Sequence, residues 1–61
     1  MGMKEQYEKY IKNRRAEALA YELEAEQEMK TGTGARAMDL MRLADMKKID
    51  ANNYKIQMES L

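Results

Sequence analysis

Residues 30–37 read Lys-Thr-Gly-Thr-Gly-Ala-Arg-Ala, and they are the only strong punctuation in a chain of 61 residues that has three Gly and no Pro. Two chemistries fit such a stretch. A glycine-rich loop between cations can cradle a phosphate, provided several backbone N–H groups converge on the anion from a helix N-terminus. The same residues also make a bend between two helices. A phosphate loop of the Walker type needs Gly-Lys-Ser/Thr opening the helix, usually after a strand. Here Gly34 is followed by Ala35 and Arg36, and no strand pattern precedes it. The bend is therefore the better reading. Gly32 suits the left-handed position that ends a helix, Thr33 is a good N-cap for the next, and Lys30 places a cation where the helix dipole favours one. A loose anion site formed by Lys30 and Arg36 is the residue of the phosphate reading.

The stretches on either side of the bend are built from helix formers. The apolar residues are 8 Ala, 7 Met, 5 Leu, 4 Tyr and 3 Ile, with no Val, Phe or Trp. Ala, Leu, Met, Glu, Lys, Gln and Arg fill most of the rest, all strong helix formers. In the front segment Tyr7, Ile11, Arg14, Ala18, Tyr21 and Ala25 recur at steps of four and three, along one helical face. In the back segment Ala37, Leu40, Ala44, Lys47, Ala51, Tyr54, Met58 and Leu61 continue a heptad pattern interrupted by Lys47. These stripes predict one all-α domain, a helical hairpin with helices over 3–30 and 35–61 and a turn over 31–34. Asn52-Asn53 is a weak helical spot and a possible break in the second helix.

Each helix carries a further apolar face. Ala16, Leu19, Ala20 and Leu23 form one in the front segment; Met38, Met41, Ile49 and Ile56 form one in the back. One hairpin buries only one face per helix, so the second stays wet unless another chain covers it. A chain this short, without Cys for disulfides and without His or Cys for a structural metal, has oligomerisation as its remaining route to a sufficient core. The expectation is a homo-oligomer, with a dimeric four-helix bundle in coiled-coil packing as its simplest form.

Charge supports the fold-back. Residues 1–15 carry +3, residues 16–29 carry −5, residues 30–48 carry +3 and residues 49–61 carry −1, for a net charge of zero. Folding at Gly32 lays the −5 block beside the second +3 block. Each exposed pair contributes only ~0.2–1 kcal/mol, but the sum selects an orientation. Four within-helix pairs at i,i+4 are also expected: Glu5–Lys9, Glu8–Lys12, Glu26–Lys30 and Lys55–Glu59.

The inventory for chemistry is thin. His and Cys are absent and the single Ser is Ser60, so neither a nucleophile–base pair nor a histidine base is available, and the chain is expected not to be an enzyme. Glu22, Glu24, Glu26 and Glu28 could at most hold a hard cation, and Met38 with Met41 a soft one; a solvated face and gap-filling Met are the plainer readings, and no cofactor or metal is expected. Tyr10, Lys12, Arg14 and Arg15 interleave aromatic and basic side chains, a combination that can hold single-stranded nucleic acid. No apolar run reaches the ~18 residues that a membrane span needs, and the N-terminus has no signal-peptide hydrophobic stretch, so a cytoplasmic protein without a membrane partner is expected.

Three functions follow as expectations. The first is a small interaction protein, an adaptor, assembly factor or inhibitor that meets a protein partner through Met38, Met41, Ile49 and Ile56; its size would suit a phage or mobile-element accessory protein. The second is a nucleic-acid-binding bundle using Tyr10, Lys12, Arg14 and Arg15. The third is a bundle that holds a small phosphorylated ligand between protomers, with Lys30 and Arg36 as contacts.

Overall fold

The computed structural model describes residues 2–32 and 34–61, and among these the chain is two α-helices, α1 (Met3–Thr31) and α2 (Gly34–Glu59), packed as a hairpin. The molecule is a thin slab, with extents of 46 × 16 × 9 Å. Met1 and Thr33 fall outside the described residues, and the capping role expected of Thr33 falls there with it.

Helix α1 opens on Gly2, whose carbonyl accepts from the Glu5 N–H at 3.2 Å. It closes on Gly32 in the left-handed conformation, φ 107°, with the Gly32 N–H donating to the Glu28 carbonyl at 3.0 Å. The bend is tighter than the four residues expected. Thr31 remains helical, its hydroxyl donating back to the Gln27 carbonyl at 3.0 Å, and Gly34 already belongs to α2. Helix α2 runs unbroken through Asn52-Asn53. Both Asn are exposed, while Ala51 and Tyr54 on either side are held against α1. Packing of the neighbours outweighs the weak propensity of the pair. The helix ends at Glu59, where the Ser60 hydroxyl turns back to the Ile56 carbonyl at 3.1 Å.

The seam between the helices follows the stripes read from the sequence. Its buried residues are Ile11, Ala18 and Ala25 from α1 and Ala37, Leu40, Ala44 and Ala51 from α2. Tyr7, Arg14 and Tyr21, and Lys47, Tyr54 and Met58, line its margins half-buried. Five of the seven buried residues are alanine. Methyl side chains let two helix backbones approach closely, but each contributes little apolar area.

Three contacts fix the register. Glu28 pairs with Arg36, Glu17 with Lys47, and the Tyr10 ring with the Tyr54 ring. Each pair is symmetric about Gly32, so a residue of α1 lies beside the residue of α2 equally far from that glycine. The ions in these pairs come from the −5 block and the second +3 block, as the fold-back requires. Among the described residues, none of the four expected within-helix pairs is closed; the only ion pair formed inside one helix is Arg14–Glu17, at 3.1 Å. Lys48 and Glu22 complete the set across the seam.

Candidate interaction face

A helix turns about 100° per residue, and that rotation divides the side chains between the two broad sides of the slab. On one side, Tyr54 stacks at a tilt on Tyr7 and Tyr10, with ring centroids 6.1 and 5.3 Å apart. Arg14 sits beside them. The Glu17 carboxylate and the Tyr54 hydroxyl hold its guanidinium charged, so its pKa lies above the ordinary value. Glu17 uses both oxygens: Oε1 takes Arg14 Nη1 at 3.1 Å and Oε2 takes Lys47 Nζ at 2.8 Å. The hydrogen bond from Lys47, aided by the charges of Lys47 and Arg14, outweighs desolvation and lowers the Glu17 pKa, while the same bond raises that of Lys47. This side carries an ionic network with tyrosine at one end, in which the buried Arg14 Nε has no hydrogen-bond partner among the described residues.

The other broad side is different. Near the bend, Met29 of α1 and Ala37, Met38 and Met41 of α2 line a groove of about 570 Å³, edged by Arg42 and Asp45. Leu19 lines the next groove along the seam with Arg15, Glu22 and Lys48. Lys48 is one heptad beyond Met41 and so projects in the same direction; Leu19 therefore shares the side of Met41. Leu23 lies one turn beyond Leu19, and Ile49 flanks Lys48. Met38 is 62% exposed, Ile49 59%, Leu19 56% and Leu23 54%. The four interaction residues expected on α2, Met38, Met41, Ile49 and Ile56, are all exposed; Met38 and Met41 line the groove, and Ile49 and Ile56 repeat at heptad spacing from Arg42 at its outer edge. Leu19 and Met29 extend the surface across the seam onto α1. Leu19 and Leu23 were visible as a second stripe; what links Leu19 to the side of Met41 is the groove it shares with Lys48.

The charged candidates are dispersed. Lys12 and Arg15 line a groove of about 370 Å³ with Glu8, Ile11, Lys55 and Met58, toward the chain ends of the apolar side. Tyr10 and Arg14 face the tyrosine side instead. The nucleic-acid candidates therefore split into two pairs on opposite sides. Two residues of helix separate Tyr10 from Lys12, about 200° of rotation, and that phase was the signal for the split. Lys55 joins Lys12 and Arg15, a neighbour that only the fold-back reveals. Lys30 and Arg36 are also parted. Arg36 Nε reaches Glu28 Oε1 at 3.4 Å, and Lys30, two residues beyond Glu28, stands about 200° further around α1.

No group of three or more carboxylates converges on a cation-sized site among the described residues, and no described helix is long and apolar enough to cross a membrane. Compared with protein-family models, with curated proteins and with solved structures, the chain shows no significant match.

Proposed function

We propose that this chain is a small non-enzymatic interaction protein whose hairpin self-associates through the apolar side, most simply as a dimeric four-helix bundle, and that the bundle serves as an adaptor, assembly factor or inhibitor. One observation carries the reading: side-chain size is inverted. Alanine fills most of the seam, while twelve large apolar residues, among them Leu19, Leu23, Met29, Met38, Met41 and Ile49, stay exposed. The accessible surface is 4948 Å². A folded monomer of 7.2 kDa exposes about 4,100 Å². The excess of roughly 800 Å² is about what each partner buries in a protein interface of ordinary size.

Solution mass by light scattering at micromolar concentration, with circular dichroism on the same sample, tests the reading. The expected result is a dimer that Met38→Glu or Ile49→Glu converts to a helical monomer. A wild-type chain that melts cooperatively as a compact monomer contradicts it.

A second reading, nucleic-acid contact, keeps Lys12 and Arg15 and gains Lys55, because these three cations share one groove. It predicts a shift with RNA or DNA at low salt that fades steeply as salt rises and disappears in the Lys12→Ala, Arg15→Ala, Lys55→Ala triple variant. Absence of any shift at low salt removes it.

A further inference from the structure

The ion pairs sort the cations of the chain into two sets. Arg14, Arg36, Lys47 and Lys48 are each held by a carboxylate. Lys12, Arg15 and Lys55 have no ion-pair partner among the described residues, and they line one groove, of about 370 Å³, with Glu8, Ile11 and Met58. Their meeting is a product of the fold-back. In the register symmetric about Gly32, Lys55 is level with Lys9, about 4.5 Å along the axis from Lys12 at 1.5 Å per residue. Arg15 follows Lys12 by one turn on the same helix.

The groove has the make-up of a small-anion site. Lys12, Arg15 and Lys55 bring +3 and Glu8 brings −1, leaving +2. A phosphate monoester carries about −1.5 to −2 near pH 7, with its second pKa near 6, whereas each diester of a nucleic-acid backbone carries a single negative charge. The Arg15 guanidinium offers a fork of donors that matches two phosphate oxygens, and the two ammonium groups supply point charges. Ile11, 7% exposed, and the half-buried Met58 form the apolar part of the lining. A bare ion gains nothing from that part; an organic group attached to the phosphate does, through the apolar area it buries. Glu8 supplies a carboxylate that accepts from a hydroxyl or amino group of the same body. The volume falls in the range of small-molecule sites, about 300–1,000 Å³.

We propose that this groove binds a phosphate monoester with an apolar or planar body, a mononucleotide being the simplest case, with the phosphate on Lys12, Arg15 and Lys55 and the body against Ile11 and Met58. The phosphorylated ligand expected at Lys30 and Arg36 thereby moves to the opposite end of the hairpin, where the cations share one groove instead of standing apart. Self-association is not required for it, and the nucleic-acid reading uses the same three cations.

Titration of the isotope-labelled chain with adenosine monophosphate at low salt, followed by NMR, maps the site. The amides of Ile11, Lys12, Arg15 and Lys55 should shift and saturate, and adenosine, which lacks the phosphate, should leave them in place. Arg15→Ala, its helix content checked by circular dichroism, should weaken binding about tenfold, as the loss of a charge-assisted contact does. Arg15→Lys keeps the charge without the fork and should recover only part of that. Affinity should also fall as pH drops through about 6, where the phosphate loses its second charge while lysine and arginine keep theirs. No shift with adenosine monophosphate, inorganic phosphate bound as tightly, or shifts that persist in the Lys12→Ala, Arg15→Ala, Lys55→Ala triple variant overturn the proposal. An oligonucleotide that binds equally with and without a terminal phosphate, while adenosine monophosphate does not bind, overturns it too and leaves the nucleic-acid reading standing.

Discussion

The Glu17 carboxylate bridges the hairpin, taking Lys47 of α2 through one oxygen at 2.8 Å and Arg14 of its own helix through the other at 3.1 Å. It has two ion-pair partners, and it sits where Arg14 and Lys47 interrupt the two apolar stripes. Three charges that would each weaken the seam are thereby matched within it.

Glu17→Gln should lower the melting temperature by about 2–5 °C, as the loss of a networked surface ion pair does in a small domain. Acid should do the same to the wild type. Because the Glu17 pKa is lowered on folding, its contribution is present above the ordinary Glu value of about 4.3 and is lost as pH falls through the folded value. Lys47 and Lys48 have raised pKa values, caused first by their hydrogen bonds to Glu17 and Glu22. Their contribution is present below the usual 10.5 and is lost as pH rises through the folded values. Thermal melts across the pH range should show decline at both ends, with a shallower acid limb in Glu17→Gln.

The two glycines of the bend should respond oppositely to alanine. Gly32 holds φ 107° with open space around it, so Gly32→Ala meets no clash but carries left-handed strain of about 1–2 kcal/mol. Gly34 is helical, at negative φ, and equally uncrowded. Gly34→Ala should stabilise by about 0.4–1 kcal/mol, mainly by restricting the unfolded chain. Urea unfolding of both variants measures the two signs.

Enlarging the seam should be costly although it adds apolar surface. Ala25 and Ala44 are 1% exposed and closely packed. Ala44→Leu should destabilise by about 1–3 kcal/mol through overpacking, whereas Met46→Leu on the exposed face should change little. Denaturant midpoints of the two variants make the comparison.

Much of this was legible in the chain itself. The stripes from Tyr7 to Ala25 and from Ala37 to Met58 were readable because helix periodicity alone assigns them, and the charge blocks pointed to the fold-back because long-range charge depends little on side-chain detail. Local pairs were less legible. Glu26 and Lys30 have the right spacing yet stay open, since exposed pairs gain little by closing. The exact end of α1 was not legible either: Thr31 stays helical and only Gly32 leaves the helix, with φ 107°. The grouping of Lys55 with Lys12 and Arg15 depends on register, and the register is held by three pairs that no local pattern reveals.

Ala18 and Ala25 repeat every seven residues, as do Ala37, Ala44 and Ala51, and methyl groups offer no knobs distinctive enough to tell one heptad from the next. A zipper with identical teeth can mesh one notch out. Here the teeth are nearly blank, and the Glu17–Lys47 and Glu28–Arg36 latches, with the tyrosine clasp at the far end, are what make a slipped hairpin the worse fit.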